Sequence, residues 1–350
     1  MKQGGGKVTD DPSSVGPALD WQSVWAAAAT GPAGFWRTHR VGGQFRTASR
    51  TSQLAEAIAT LIGRSPELEN VIEVGAGDGT LLTGLRTRLP GPRYAAAELR
   101  PAPAGVAPAG SGTPPDSDTE IGAGVDWRIG HWDVEQRRWH GPAAELFGDL
   151  DRPTMIICVE WLDDLPCPVV GWDGTTWRRL LVHPDGSESL GPTLRGATDD
   201  WMQHWWPDAE PGDRAECGIT RDDAWRSLIS ALTRCGGLAL MIDYGHTRDS
   251  RPRAGSLTGY VDGRQVPARP DPAINLTAHV AVDAAAAAGE SAGASTEFLT
   301  DQQHALARLL PNADNPSLGT LGRLQQRSER RLLTQTLGDH RWLLQRVTPR

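Results

Sequence analysis

Short apolar runs alternate along the chain with longer stretches whose hydrophobic positions recur every three or four residues. The short runs end at glycine or acidic residues and predict buried strands, whereas the longer stretches predict amphipathic helices. Their alternation predicts a doubly wound α/β fold with a mostly parallel sheet. The predicted strands are 71–74, 94–98, 125–129, 155–159 and 238–242, with a last strand at 341–347. The predicted helices are 21–29, 52–63, 81–89, 222–234, 300–310 and 318–337.

Two insertions interrupt this alternation, one after the fourth predicted strand and one after the fifth. Residues 168–215 contain Asp173-Gly174 between apolar runs, which is a hairpin signal. They also contain three tryptophans within 201–206, which indicate core or lid packing. Residues 255–297 form the second insertion, which is either a substrate lid or a dimer arm.

Glycine, serine and proline dominate two further stretches. Residues 1–20 are predicted to be a disordered tail, and residues 101–120 a surface loop that interrupts the sheet. A single domain is then expected over 21–350, with its ligand-binding core at about 52–250.

The composition is that of a globular protein, with 39% hydrophobic and 22% charged residues in a chain of 350. A net charge of −8 without a basic stripe argues against a nucleic-acid partner. The absence of a long apolar run and of a leader-like segment predicts a cytoplasmic protein with no membrane partner. Cys158, Cys167, Cys217 and Cys235 lack metal-ligand spacing, so we expect no metal and four buried free thiols.

The most informative motif follows the first strand of the predicted sheet and reads E-x-G-x-G-x-G from Glu73 to Gly79. Glycine allows backbone conformations that other residues avoid and lets a ligand lie against the main chain. Such a loop at the end of a parallel strand suits a nucleotide-like ligand, although an ordinary tight turn is the alternative. The spacing differs from the dinucleotide pattern and resembles the first motif of class I S-adenosyl-L-methionine (SAM)-dependent methyltransferases. That resemblance implies a Rossmann-like fold with SAM bound by Glu73, Gly75, Ala76, Gly77 and Gly79.

Polar residues at the ends of the second and third strands extend the predicted cofactor site. Glu98 ends the second strand about 20 residues beyond the glycine loop, where a carboxylate binds the ribose. If the glycines formed only a turn, Glu98 would instead be solvated. Trp132 and Asp133 follow the third strand, where a side chain would meet the adenine.

Three carboxylates, Glu160, Asp163 and Asp164, follow the fourth strand. Beside a cationic cofactor they would bind a cationic substrate, such as an arginine guanidinium, through paired hydrogen bonds. They would also raise one another's pKa, so that one serves as a base. Alternatively, Asp163 and Asp164 cap a turn and only Glu160 faces the cleft. His246 and His279 are isolated histidines and are not assigned as bases.

Several segments in the same order resemble the MidA-type SAM-dependent methyltransferases, whose mitochondrial member is a protein-arginine methyltransferase acting in complex I assembly. Gln44 and Arg50 stand where that family usually has acids, Val159 where it has asparagine, and Asn275 where it has aspartate. The resemblance runs from about residue 31 to the C-terminus and implies methylation of arginine in a protein substrate. The matching segments are 42–53 (GGQFRTASRTSQ), 159–166 (VEWLDDLP), 243–245 (DYG), 255–257 (GSL) and 276–280 (LTAHV).

The sequence therefore predicts a SAM-dependent methyltransferase that acts on a protein side-chain nitrogen, with Glu160 and Asp163 orienting and polarising the acceptor. The substituted signature residues motivate an alternative, a non-catalytic SAM-binding or assembly factor with the same fold. An NAD-dependent oxidoreductase is disfavoured because the G-x-G-x-x-G spacing is missing. The partner expected is a protein substrate, and a homodimer stays open.

Overall fold

The computed structural model describes residues 18–39, 48–103, 106, 124–310 and 319–350. Its strands are β1 (Leu19–Asp20), β2 (Asn70–Val74), β3 (Arg93–Glu98), β4 (Asp126–Ile129), β5 (His131–Asp133), β6 (Arg138–His140), β7 (Thr154–Val159), β8 (Val169–Trp172), β9 (Trp177–Val182), β10 (Glu188–Thr193), β11 (Arg214–Glu216), β12 (Gly237–His246), β13 (Thr258–Val261), β14 (Arg264–Val266), β15 (Asn275–Thr277), β16 (Val280–Ala281), β17 (Ala294–Asp301) and β18 (His340–Val347). Its α-helices are α1 (Trp21–Thr30), α2 (Phe35–Thr38), α3 (Ser52–Ile62), α4 (Thr80–Arg88), α5 (Ala143–Gly148), α6 (Ala197–Trp205), α7 (Ile219–Leu232), α8 (Val282–Ser291), α9 (Gln302–Leu309) and α10 (Thr320–Arg331).

The central sheet has the strand order β17-β18-β12-β7-β2-β3-β4, and the short β16 pairs with the end of β12. The five strands from β12 to β4 are parallel, whereas β18 runs antiparallel to both of its neighbours. From β2 the chain builds outwards to β3 and β4, and then returns to β7 on the other side of β2. Ligands of such sheets bind at this switch point, outside the carboxyl ends of the strands. The predicted doubly wound α/β class is confirmed.

Alternating side chains of the central strands fill two apolar layers. Val71 and Leu240 pack with the helices α3, α4 and α9 on one face of the sheet. Ile72 and Met241 pack with α5, α7 and α8 on the other face. Burial on both faces explains why these strands are near-continuous apolar runs in the sequence.

The first insertion forms most of a second, antiparallel sheet, in which β8 pairs with β9 and β11, and β9 also pairs with β10. The N-terminal β1 joins this sheet by pairing with β9. The hairpin predicted at Asp173-Gly174 joins β8 to β9, and Gly174 adopts a φ of 100° in its turn. Trp201 and Trp206 lie in the buried cluster of this sheet, where Trp177 meets Trp206 edge to face at 6.3 Å. Of the two predicted alternatives, core packing and lid packing, these tryptophans therefore show core packing.

The second insertion is shorter than the predicted 255–297. It contains the small sheet of β13, β14 and β15, but α8 and β17 belong to the main fold, because β17 pairs with β18 along the central sheet. The predicted helix 318–337 is α10 followed by a π-helical segment, Leu332–Thr336.

Two boundaries were misread for local reasons. Residues 19 and 20 form β1, and Asp20 caps α1 by accepting the Gln22 N–H at 2.9 Å, so this end of the predicted tail is ordered. Helix α7 begins before the predicted residue 222, because Asp222 is buried and accepts the Trp201 indole N–H at 2.7 Å instead of capping the helix. The remainder of the tail, most of the loop 101–120 and the signature residues 42–47 lie outside the described residues.

The four cysteines are buried and unpaired in disulfides, as predicted. Across the described part of the chain, every helix is too short or too polar to span a bilayer.

Candidate active site

A cavity of about 890 Å³ opens at the carboxyl ends of the parallel strands. The segments that follow the five parallel strands contribute to its lining, together with α1 and the end of the π-helical segment. The second insertion adds side chains from residues 256–279. The topology therefore brings the sequence-predicted ends of separate strands into a single site.

Gly75 and Gly77 turn the chain at the base of this cavity. Their φ angles of 69° and 59° are left-handed, a region that favours glycine. A Cβ added at Gly75 would lie 2.8 Å from the Trp161 ring, so this glycine is needed for close packing. A Cβ at Gly77 would meet no atom of the described residues within 4 Å, so this backbone, next to Ala76, faces open space. All three residues line the cavity, as expected for a backbone that approaches a ligand.

Glu73 and Gly79 support the loop from behind and are not part of the cavity lining. Strand alternation places Glu73 on the same face of the sheet as Val71, beneath α4, where it is only 2% exposed. Burial, and then the nearby charges of Glu98 and Asp78, raise its pKa well above the usual range. Gly79, with a φ of 72°, is the residue that precedes α4. Both residues therefore shape the loop that lines the cavity, and their direct contact with the cofactor stays a prediction.

Glu98 ties the end of β3 to the glycine loop. It is 6% exposed, and its Oε2 accepts the Gly77 N–H at 2.8 Å. Its Oε1 accepts from the Arg100 backbone at 3.2 Å and from the Arg100 guanidinium at 3.1 Å. The alternative of a solvated Glu98 is therefore wrong. Arg100 was not predicted as a site residue. Its position two residues after Glu98 could have indicated an ion pair between the two side chains.

An aromatic wall adjoins the glycine loop. Trp132, in the β5–β6 hairpin, meets Trp139 at 5.9 Å, and Trp139 stacks parallel to Trp161 at 5.7 Å. The indole N–H groups of Trp132 and Trp139 are buried and have no hydrogen-bond acceptor among the described residues. Asp133 also lines the cavity, but its Oδ1 accepts the backbone N–H groups of the following turn. The wall suits a flat apolar ring with acceptor atoms.

Glu160 begins the acidic segment after β7 and has a left-handed φ of 50°. Such a conformation is costly for a residue with a side chain and persists where the surroundings impose it. Its Oε1 accepts the Ala48 backbone N–H at 2.9 Å and lies 3.2 Å from His340 Nε2. Both contacts orient the carboxyl group, which lines the cavity.

Asp163 and Asp164 also line the cavity, so the alternative in which only Glu160 faces the cleft is wrong. Asp163 Oδ2 accepts the Thr277 hydroxyl at 2.8 Å, and the Asn275 amide lies 3.4 Å from Asp164 Oδ1. Burial, and then the charge of Glu160, raise the pKa of Asp163. Burial, and then the charge of Asp163, raise the pKa of Asp164 well above its usual range.

Asp243, at the cavity end of β12, holds the acidic segment in place. It is fully buried, and its Oδ2 accepts the backbone N–H groups of Trp161, Leu162 and Asp163 at 3.3, 2.9 and 3.3 Å. Burial, and then the charge of Asp163, raise its pKa well above the usual range. Asp243, at the end of β12, thus fixes the loop that follows the neighbouring strand, β7.

Arg221, from α7, fixes the same loop from the other side. Its guanidinium is 1% exposed and donates to the backbone carbonyls of Asp163 at 2.8 Å and Leu165 at 3.1 Å. It also donates to the carbonyls of Ala278 and His279, both at 2.9 Å. Arg221 could not be anticipated from the sequence, because its partners lie more than 50 residues away.

The two histidines singled out in the sequence differ in position. His246 is buried, and burial, together with the adjacent Arg251, lowers its pKa to about 2, so this ring stays neutral. His279 lines the cavity, and burial lowers its pKa. His340, which contacts Glu160, was not anticipated, because the two residues are 180 positions apart.

Comparison with solved structures identifies similar folds. A Burkholderia thailandensis protein crystallised with S-adenosyl-homocysteine has a TM-score of 0.69 and 20% sequence identity, covering 94% of this chain and 88% of that one. A native structure from the same superfamily and organism has a TM-score of 0.68 and 20% identity, covering 94% and 87%. At this identity the likeness establishes the fold. Comparison with curated proteins gave no significant match.

Comparison with models of protein families identifies the family of this chain. Residues 119–300, just over half of the chain, match the family described as "Putative S-adenosyl-L-methionine-dependent methyltransferase". The glycine loop, the buried Glu98 and the aromatic wall around the cavity agree with SAM as the cofactor. The protein belongs to this family of SAM-dependent methyltransferases.

Proposed function

We propose that this methyltransferase acts on a nitrogen of a protein side chain, with an arginine guanidinium as the acceptor. The observation that carries the proposal is a set of buried acceptor atoms in the cavity. Asp163 and Asn275 are 5% and 6% exposed, and one oxygen of each has no donor among the described residues. A buried polar atom without a partner is costly, so a ligand rich in N–H donors would be stabilised there.

The charge of this region favours a cationic acceptor. Glu160, Asp163 and Asp164 face the cavity, and the guanidinium of Arg221 is committed to backbone carbonyls. A guanidinium presents five N–H donors in a plane and pairs with carboxylates through parallel hydrogen bonds. A planar, positively charged group therefore complements both the charge and the orphaned acceptors.

The cofactor half of the site would be formed by Gly75, Ala76, Gly77, Glu98 and the hairpin that carries Trp132 and Asp133. SAM, when bound, supplies an electrophilic methyl group. A carboxylate offers about four acceptor positions, and Glu98 uses three of them, which leaves one for a ribose hydroxyl. Glu73 and Gly79 would act through the shape of the loop.

Glu160 and Asp163 would bind and orient the acceptor nitrogen, and Glu160 would accept the proton that this nitrogen loses. Positioning a nucleophile accounts for much of the rate gain in such displacements. The groups that hold these acids, Asp243 Oδ2 and the Arg221 guanidinium, are hydrogen-bonded to backbone groups. The loop therefore keeps its geometry when an acceptor enters.

The test measures methyl transfer from labelled SAM to matched peptides that contain arginine, lysine or neither. Glu160→Gln and Asp163→Asn should retain SAM binding by calorimetry but lose about 100-fold in kcat on the arginine peptide. Glu145→Gln, whose side chain is 70% exposed, serves as the matched control and should behave as the wild type.

Transfer to lysine peptides alone, or unchanged turnover in Glu160→Gln, would contradict the proposal. SAM binding without turnover on any native protein would instead support the non-catalytic alternative.

A further inference from the structure

His340 is a fully buried histidine at the first position of β18, and it contacts the acceptor side of the site without lining the cavity. Its Nδ1 lies 2.9 Å from the Leu337 carbonyl oxygen, and its Nε2 lies 3.2 Å from Glu160 Oε1. Its ring packs against Tyr244, with the ring centres 3.9 Å apart. The ring is therefore held on three sides.

The hydrogen-bond partners determine where protons can lie. A carbonyl oxygen only accepts, so His340 Nδ1 must carry a hydrogen. In the neutral ring Nε2 would then be a bare acceptor facing the carboxylate oxygen of Glu160. Two acceptors at 3.2 Å repel unless a proton lies between them. Because Oε1 already receives the Ala48 N–H, we place this proton on Nε2, which makes the ring an imidazolium.

We propose that His340 is a positioning residue for methyl transfer: its Nε2–H holds Glu160 Oε1, so that Oε2 is presented to the acceptor nitrogen. This inference rests on the proposed role of Glu160. Within the described residues, both hydrogen bonds of the Glu160 side chain use Oε1, so Oε2 is the oxygen that remains for a ligand. Transfer would break the bond between the methyl group and the sulfonium sulfur of SAM and form a methyl–nitrogen bond, with S-adenosyl-homocysteine as the leaving group. The acceptor nitrogen would then release its proton to Oε2.

Several charged and polar groups surround the contact between His340 and Glu160. Glu160 and Asp163, from the segment after β7, are acidic groups near the ring. Asp243 and Tyr244 face the pair from β12, His279 stacks on Tyr244 at 5.8 Å, and Asp339 precedes His340 in the chain.

Two substitutions separate the contact with Glu160 from the contact with Leu337. In a glutamine side chain the amide nitrogen can occupy the position of His340 Nε2. In an asparagine side chain the amide nitrogen can occupy the position of Nδ1. His340→Gln should therefore keep a donor to Glu160 and remain active. His340→Asn should lose about 100-fold in kcat while its KM for SAM stays unchanged. Adding Glu160→Gln to His340→Asn should cause no further loss.

Equal activity of the two variants would overturn the inference, because the role of His340 would then be structural. A ¹⁵N spectrum of the histidine rings in the intact, unliganded protein tests the proton directly. We expect a protonated Nε2 at His340 in the wild type at pH 7 and an unprotonated one in Glu160→Gln. An unprotonated Nε2 in the wild type would also overturn the inference. Since this measurement needs no acceptor, its result is independent of whether arginine is the substrate.

Discussion

The glycine loop can be tested with three substitutions that share one chemical change: Gly75→Ala, Gly77→Ala and Gly91→Ala. Gly75 and Gly77 have φ angles of 69° and 59°, whereas Gly91 lies outside the left-handed region. An added Cβ would lie 2.8 Å from Trp161 at Gly75, but would meet nothing within 4 Å among the described residues at Gly77 or Gly91. The series separates backbone strain from steric contact.

The expected free-energy changes follow from these geometries. A left-handed alanine costs about 1–2 kcal/mol, and replacing glycine lowers the entropy of the unfolded chain by about 0.4–1 kcal/mol. Gly77→Ala should therefore destabilise the fold by roughly 1 kcal/mol. Gly75→Ala adds about 1–3 kcal/mol of overpacking, because Trp161 is stacked on Trp139 and cannot yield easily. Its total is roughly 2–4 kcal/mol, and Gly91→Ala should be neutral or slightly stabilising.

Urea unfolding followed by tryptophan fluorescence measures these free energies, and calorimetry with S-adenosyl-homocysteine measures cofactor affinity. The Cβ in Gly77→Ala would enter space next to the cavity, so affinity should fall about tenfold, or 1.4 kcal/mol. If Gly75→Ala were no less stable than Gly77→Ala, Trp161 would not constrain the loop. Unchanged affinity in Gly77→Ala would remove that backbone from the cofactor site.

Two further predictions concern buried groups outside the cavity. Burial raises the pKa of Asp222 to about 7. Between about pH 4 and pH 7 the folded state therefore binds one proton more than the unfolded state. The free energy of unfolding should fall by about 4 kcal/mol as the pH rises through this range. Asp222→Asn can still accept the Trp201 N–H and should remove this loss, and equal pH dependence of unfolding in both proteins would contradict the reasoning. Burial also raises the pKa of all four cysteine thiols. A thiol reagent at pH 8 should therefore label no cysteine in the native protein and all four in urea. Rapid labelling of the native protein would disprove their burial.

The sequence could predict the parallel strands because each is a short apolar run with clear ends. Their observed bounds differ mainly by extension, as in β12, which continues from the predicted 238–242 to His246. Since parallel strands place their carboxyl ends together, the polar residues after them also predicted the position of the cavity. The local hydrophobic pattern and the topology of parallel sheets were sufficient to predict these strands and the position of the cavity.

Other elements carry weak local patterns. Strand β17 has few apolar residues and only partly buried side chains, because it lies at the edge of the sheet. Helix α8 is mostly alanine, so its buried and exposed positions differ little in hydrophobicity. The supports of the acidic segment were also hidden, since Arg221, Asp243 and His340 contact it from 58 to 180 positions away.

Two of the residues that depart from the MidA-type pattern, Arg50 and Asn275, make defined contacts in this chain. Arg50 forms an ion pair with Asp78 at 2.6 Å, beside the glycine loop. Although burial raises the pKa of Asp78, hydrogen bonds from Thr80 and Arg50 bring it below the usual value, so Asp78 stays ionised. The Asn275 amide lies within reach of Asp164 and leaves its own oxygen for a donor.

These contacts bear on whether the site has lost its chemistry. If the remaining acidic side chains were displaced from the cavity, the loss of signature acids would leave an inert site. Instead, Asp243 and Arg221 hold the backbone of the acidic segment, and His340 holds the Glu160 carboxyl. Asp163 retains an oxygen without a donor among the described residues. The acceptor side is therefore organised around carboxylates that are still in place, which favours a catalytic protein over a binding factor and makes Glu160→Gln the decisive variant.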